Sequence, residues 1–236
     1  MLLRRVIEHV KAQNWTAVAL DFVIVVVGVF MGIQVSNWND ARSERVLSND
    51  YLLAFQRDLS ADSKMLQIEI EARKLQLENA LAVLEYFEGE SLDVSAFFEA
   101  YYAVLYARST SPNRNTMDEL LNSGSLRLIR NSQTRTGLLD LYSTYELIAS
   151  HEEHIARDFD MYLYDPTFSS IPVQIEGPWA DNMENRASAE ALLNNVTIEN
   201  GFRLIVLNLQ YGDNQGLIAD LEAASMLVDK LLQELP

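Results

Sequence analysis

TAVALDFVIVVVGVFMGIQVSNWN, residues 16 to 39, is an apolar run broken by a single acid, Asp21. The twenty-one residues from Thr16 to Ser36, at ~1.5 Å per residue in a helix, reach about 31 Å and match a hydrocarbon core of ~30 Å. The segment therefore predicts one transmembrane helix over residues 16–38. A cleaved signal peptide is the main rival, since Arg4, Arg5 and Lys11 precede the run. Small residues of the A-x-A kind do not follow it, bulky Trp38 stands where they would be, and Asp21 sits inside the apolar core. An uncleaved anchor is the better account.

The flanks give an expected orientation. Three basic residues stand before the span, while Arg42 and Arg45 follow it. With the amino terminus added, the bias predicts a cytoplasmic start and a periplasmic remainder. Trp15 and Trp38 are expected at the two bilayer interfaces, where indole rings are favoured. The chain has no cysteine, which suits an oxidising compartment. Leu2, Leu3, Val6, Ile7 and Val10 share one helical face against Arg4, Arg5, Glu8 and Lys11. Residues 1–15 thus predict a short cytoplasmic amphipathic segment lying on anionic lipid.

Within the span, Asp21, Val25, Gly28, Gly32, Val35, Ser36 and Asn39 fall on one broad face. Gly28, Gly32 and Ser36 form a small-xxx-small ladder that admits a second helix closely. Asp21 on the same face is costly in lipid and marks a functional position. The pattern Asp21, Gly28, Gln34, Asn37, Trp38, Asn39 resembles a family of single-pass bacterial inner-membrane proteins classed under a domain of unknown function. Its members carry an acid, a glycine seven residues on, and a glutamine followed by an Asn-Trp-Asn-like end. The stretch from Thr116 to Asn131, TMDELLNSGSLRLIRN, is similar to that family's Leu-x-x-Ser-Gly-x-Leu-x-x-Ile segment. The usual acid there is Glu where this chain has Asp21, and Gly32 is often another small residue. The resemblance implies a topology and carries no activity.

Beyond the span the signals are helical. Residues 40 to 88 contain neither proline nor glycine, and Leu52, Phe55, Leu59, Leu66, Ile70, Leu77, Leu81 and Leu84 recur mostly at three- and four-residue steps. The membrane helix is expected to run on into this one. Gly89 stands as a C-terminal cap, and Asp93 caps a second helix bearing Phe97, Phe98, Tyr101, Tyr102, Leu105 and Tyr106. Those aromatics predict either core or the lining of a ligand pocket. Thr116 and Glu119 match a capping box for a short helix ended by Gly124. Asn131 is expected to cap a helix reaching about Tyr164, and Pro166, Pro172 and Pro178 mark an irregular connection. Leu217, Leu221, Ala224, Val228 and Leu231 predict a last helix packing on the first long one, with Gly212 and Gly216 breaking or kinking it. The expected fold is all-α, a single transmembrane helix continuing into an extramembrane antiparallel helical bundle over residues 39–236.

The chain carries 18 basic and 34 acidic residues; all but three and two of these, 15 and 32, lie beyond position 36, a net of −17. So acidic a domain repels nucleic acid and anionic lipid heads. His151, His154 and Asp158 share a helical face and are the one candidate metal set, although the spacing is not H-E-x-x-H. G-x-S-x-G, a phosphate-cradling glycine loop and cysteine are all missing, so no catalytic residue and no cofactor is indicated. The sequence predicts a non-enzymatic inner-membrane protein, an accessory or scaffold subunit whose partner is another membrane protein or a second copy. The alternative is a periplasmic ligand or metal sensor, which with so short a cytoplasmic segment needs a partner to signal through.

Overall fold

The computed structural model describes residues 15–105, 109–171, 179–210 and 216–235. The expected amphipathic segment before Trp15, and Tyr106, Pro172, Pro178 and Gly212, lie outside them. Among the described residues the structure is helical, without strands. The chain divides into two compact units, residues 1–51 and 52–236. Helix α1, Trp15–Phe87, is 73 residues long; it is the whole described part of the first unit and opens the second. There follow α2 (Val94–Leu105), α3 (Asn115–Asn122), a 3₁₀ turn (Ser125–Leu128) and α4 (Ser132–Asp158). A π-helical turn (Phe159–Leu163), α5 (Pro166–Ser169), α6 (Met183–Leu193), α7 (Val196–Gln210) and α8 (Gly216–Glu234) complete the order.

Local signals set most boundaries. Past the end of α1, Gly89 takes φ 105°, a left-handed region that favours glycine, and its N–H donates to Tyr86 O at 3.2 Å. Asp93 Oδ1 accepts from Ala96 N at 3.1 Å and so caps α2. Asn131 accepts from the N–H groups of Gln133 and Thr134 at the start of α4. Gly124, with φ 66°, ends α3. The expected capping box at Thr116 is not formed. Arg114 occupies the N-cap position without a side-chain cap bond, and the Thr116 hydroxyl donates instead to Asp58 on α1.

Within residues 52–236 the legs alternate in direction. Gln76 of α1 reaches Val104 O of α2 at 2.8 Å, and Tyr86 meets Phe97 with ring centroids 5.6 Å apart, so α2 runs back along α1. The chain continues the same way without helix through residues 109–114. It meets Glu152 at Thr110, Asp62 at Asn113 and Asp58 at Thr116. Helix α4 then returns parallel to α1, with Tyr145 at Asp62 and Glu152 at Arg73. Helix α8 opposes both, since Asp220 faces His151, Glu222 faces Lys74 and Asp229 faces Ser63.

Leu217, Leu221, Ala224, Val228 and Leu231 of α8 are all buried, as their spacing predicts. Each such side chain removed from water contributes about 1.5–3 kcal/mol. Their main partner, however, is α4 and not α1. Gly137 of α4 explains this: a Cβ there would come within 3.0 Å of Leu231 Cδ2, so the glycine admits α8 closely. At the far end of the bundle, Phe97, Phe98 and Tyr101 are fully buried. Phe98 stacks on Trp179 at 4.1 Å, Tyr101 on Phe168 at 5.3 Å, and Phe202 meets Tyr101 edge-on at 5.0 Å. Phe97, Phe98 and Tyr101 are core, and Tyr102 is half-buried.

Helix α7 approaches the π-helical turn so closely that a Cβ on Gly201 would stand 2.6 Å from Leu163 Cδ2 and 2.8 Å from Tyr162 Cβ. Gly201→Ala is therefore expected to destabilise the bundle by about 1–3 kcal/mol despite its better helix propensity. Thermal unfolding of the full chain in mild detergent, followed by circular dichroism, checks this against Asn200→Ala, a neighbouring exposed position.

Candidate functional site

Residues 15–51 form the first stretch of α1, and among the described residues its apolar part is exposed. No share of the most apolar window of α1 is buried, and Phe22, Val25, Phe30 and Val35 are each at least 60 % exposed. Trp15 and Trp38 are 68 % and 66 % exposed at the two ends of the run. Asp21, Gly28, Gly32 and Ser36 fall within about a quarter-turn of one another on this helix. A Cβ added at Gly28 or Gly32 would meet nothing within 4 Å. Asp21 is exposed, and the residues one turn away, Ala17, Val18, Ile24 and Val25, are all apolar.

His151, His154 and Asp158 do not gather as a metal-holding set. His151 Nδ1 lies 2.8 Å from Asp220 Oδ2 on α8, Asp158 accepts from Asn208 Nδ2 on α7 at 2.7 Å, and His154 is exposed. The three share a face, but α7 and α8 pack across it and take two of them. Among the described residues no group of three or more His, Asp or Glu side chains is placed to hold a metal ion.

A different polar arrangement lies inside the bundle. On α1 the buried seam is Phe55, Leu59, Asp62, Leu66, Glu69, Arg73, Gln76, Ala80 and Val83, alternating by four and three. The apolar residues that suggest another seam turn outward in its middle: Ile70 and Leu77 are half-buried and Leu81 is 41 % exposed. Four polar side chains thus occupy core positions, a signal that a search for apolar periodicity passes over. Asp62 accepts from Asn113 N at 3.0 Å, Asn113 Nδ2 at 2.9 Å and Tyr145 Oη at 2.9 Å. Arg73 Nη2 lies 3.2 Å from Glu69 and 2.9 Å from Glu152, while its Nη1 donates to Gln76 Oε1 at 3.1 Å. Glu152 also accepts from Thr110 N and Oγ1 and from Ser109 Oγ.

Burial pushes the Asp62 carboxyl above its ordinary value of 3.8, against the lowering effect of its three hydrogen bonds, and nearby Asp58 adds to the rise. Desolvation likewise raises the phenols of Tyr142 and Tyr145, with Asp62 contributing. A cleft of about 320 Å³ lined by Arg73, Ser109, Thr110 and Glu152 opens beside the network. Another of about 140 Å³ lies on the Glu69, Leu75 and Asn79 side. The carboxylate of Glu152 already holds donors from α1 and from residues 109–110, so its chemistry here is the joining of segments.

Compared with protein-family models, with curated proteins and with solved structures, the chain matches none.

Two outcomes follow from the buried network. Arg73→Met leaves Glu69 and Glu152 buried without their counter-charge, and is expected to destabilise the bundle by about 3–5 kcal/mol in thermal unfolding. For Asp62 the folded carboxyl is raised, so its contribution is fully present below pH 3.8 and is lost as pH rises through the folded value. Subtracting the stability–pH curve of Asp62→Asn from that of the parent should leave a difference that falls with rising pH in that window. A difference that rises with pH would mean that the hydrogen bonds outweigh burial.

Proposed function

We propose that this chain is a non-enzymatic, single-pass protein of the bacterial inner membrane, an accessory or scaffold subunit that joins a larger membrane assembly. Its amino terminus is cytoplasmic and its helical bundle periplasmic. The observation that carries this is the apolar window of α1, long enough to cross a bilayer and wholly exposed among the described residues. Leaving such a surface in water is unfavourable by roughly 25 cal/mol per Å². Lipid or another helix relieves that cost. The basic residues before the span, the tryptophans at its ends and the resemblance carried by Asp21, Gly28, Gln34 and Asn37 to Asn39 support the same reading. The ladder of Gly28, Gly32 and Ser36 supplies the contact face. The net charge of the bundle side disfavours nucleic acid as a partner.

Topology and assembly are tested separately. The full chain should remain in the membrane pellet after alkaline carbonate, and a phosphatase fused after Pro236 should be active in bacterial cells. An inactive fusion would reverse the orientation; release by carbonate would remove the membrane reading. Gly28→Ile combined with Gly32→Ile should lower the mass of the assembly extracted in mild detergent, and an unchanged mass would leave that face to lipid alone.

A further inference from the structure

We propose that the cleft beside Glu69, between α1 and α2, is a binding site for a small primary alkylammonium ion. The site goes beyond the reading above and depends neither on the membrane nor on a partner protein.

The hydrogen bonds around the cleft show what it has to offer. Its volume is about 140 Å³, and its polar lining is Glu69, Arg73, Gln76 and Asn79. Gln76 Nε2 donates to Val104 O and Asn79 Nδ2 to Leu75 O, each at 2.8 Å. Both amides therefore turn their nitrogens to backbone carbonyls. Arg73 gives Nη1 to Gln76 Oε1 and Nη2 to Glu152. The donors here have acceptors, but one acceptor lacks a donor. Glu69 is buried, and its Oε1 lies 3.2 Å from Arg73 Nη2 yet accepts no hydrogen bond among the described residues. A buried carboxylate oxygen left in that state is costly, and this carboxylate lines a space that a donor can enter.

Charge selects the kind of donor. A guanidinium stays protonated in proteins, and both Glu69 and Glu152 lie within 3.2 Å of that of Arg73. Among the described residues, two carboxylates thus share one positive group, and a net negative charge is held out of water. Glu152 also accepts from Thr110 and Ser109, whereas Glu69 has no such donors. The place for a further positive group is beside Glu69. An ammonium head supplies charge and N–H donors together. The rest of the lining, Ala72, Leu75 and Ala103, is apolar and suits a short alkyl chain. One water needs ~10–15 Å³ of such space, so the cleft takes head and chain together. A bare potassium ion leaves the apolar wall uncovered, and a neutral alcohol brings no charge.

The test is calorimetric titration of the full chain in mild detergent and physiological potassium chloride, with n-butylammonium chloride as the probe. One saturable site is expected, with n-butanol binding at least about tenfold more weakly. Glu69→Gln should weaken the probe by a similar factor. Ala72→Leu, which fills the apolar wall and keeps the carboxylate, should do the same. Glu71→Gln removes an exposed acid of the same helix and should leave the affinity unchanged. Absence of a saturable site overturns the proposal, as does n-butanol binding equally well. Displacement of the probe by added potassium overturns it in favour of a bare cation. Equal weakening by Glu71→Gln overturns it in favour of general attraction to an acidic surface. Circular dichroism checks that each variant is folded. If Glu69→Gln is not, Ala72→Leu decides, and an undiminished affinity there overturns the site.

Discussion

The interior of the bundle depends on one guanidinium. Arg73 lies between Glu69 of its own helix and Glu152 of α4 and also holds Gln76, which fastens the end of α2 through Val104 O. Glu152 fastens Thr110 in turn. Three helices and a non-helical strap therefore meet on a single positive group. Against an apolar set of the same volume such a group is seldom a net gain in stability. Its effect here is on register. Sliding α1 by one turn would bring Leu77 or Glu69 to Glu152, an unpaired carboxylate either way. Apolar side chains would tolerate that slip far better.

The strap explains why acids stand in the core at all. The second leg of the bundle begins as the helix Val94–Leu105, and residues 109–114 are without helix. A backbone placed among helices without a ladder of its own leaves its N–H groups without partners, and buried donors of that kind are costly. Asp62 accepts from Asn113 N and Glu152 from Thr110 N, while Tyr142 donates to Asn113 O. The carboxylates supply the acceptors that a helical second leg would have found within itself. The raised Asp62 carboxyl is the cost of that service.

This also marks where sequence reading stops. Caps were legible because Asn131, Asp93, Gly89 and Gly124 act within a few residues, and so was α8, whose face is apolar throughout. The long apolar run of α1 was legible for the same reason. The seam of α1 was not, since Asp62, Glu69, Arg73 and Gln76 occupy its core positions while Ile70, Leu77 and Leu81 offer a rival apolar pattern. Thr116 matched a capping box that Asp58, 58 residues away, took over. His151 and Asp158 matched a chelating face until α8 and α7 claimed them. Each miss has one cause: the deciding partner is distant in the chain, and a local pattern contains no information about it.

The two units place opposite demands on a partner. In the bundle, the carboxylates on the strap have donors from the chain, and the described glycines have a turn or a close neighbour to account for them. The helix of residues 15–51 has an acid with only apolar neighbours a turn away, and two glycines facing open space. Inside the bundle the Tyr101 hydroxyl is an exception, buried among aromatic rings without a hydrogen-bond partner. The proposed function gives the two units different solvents, lipid for the apolar window of residues 15–51 and water for the acidic bundle.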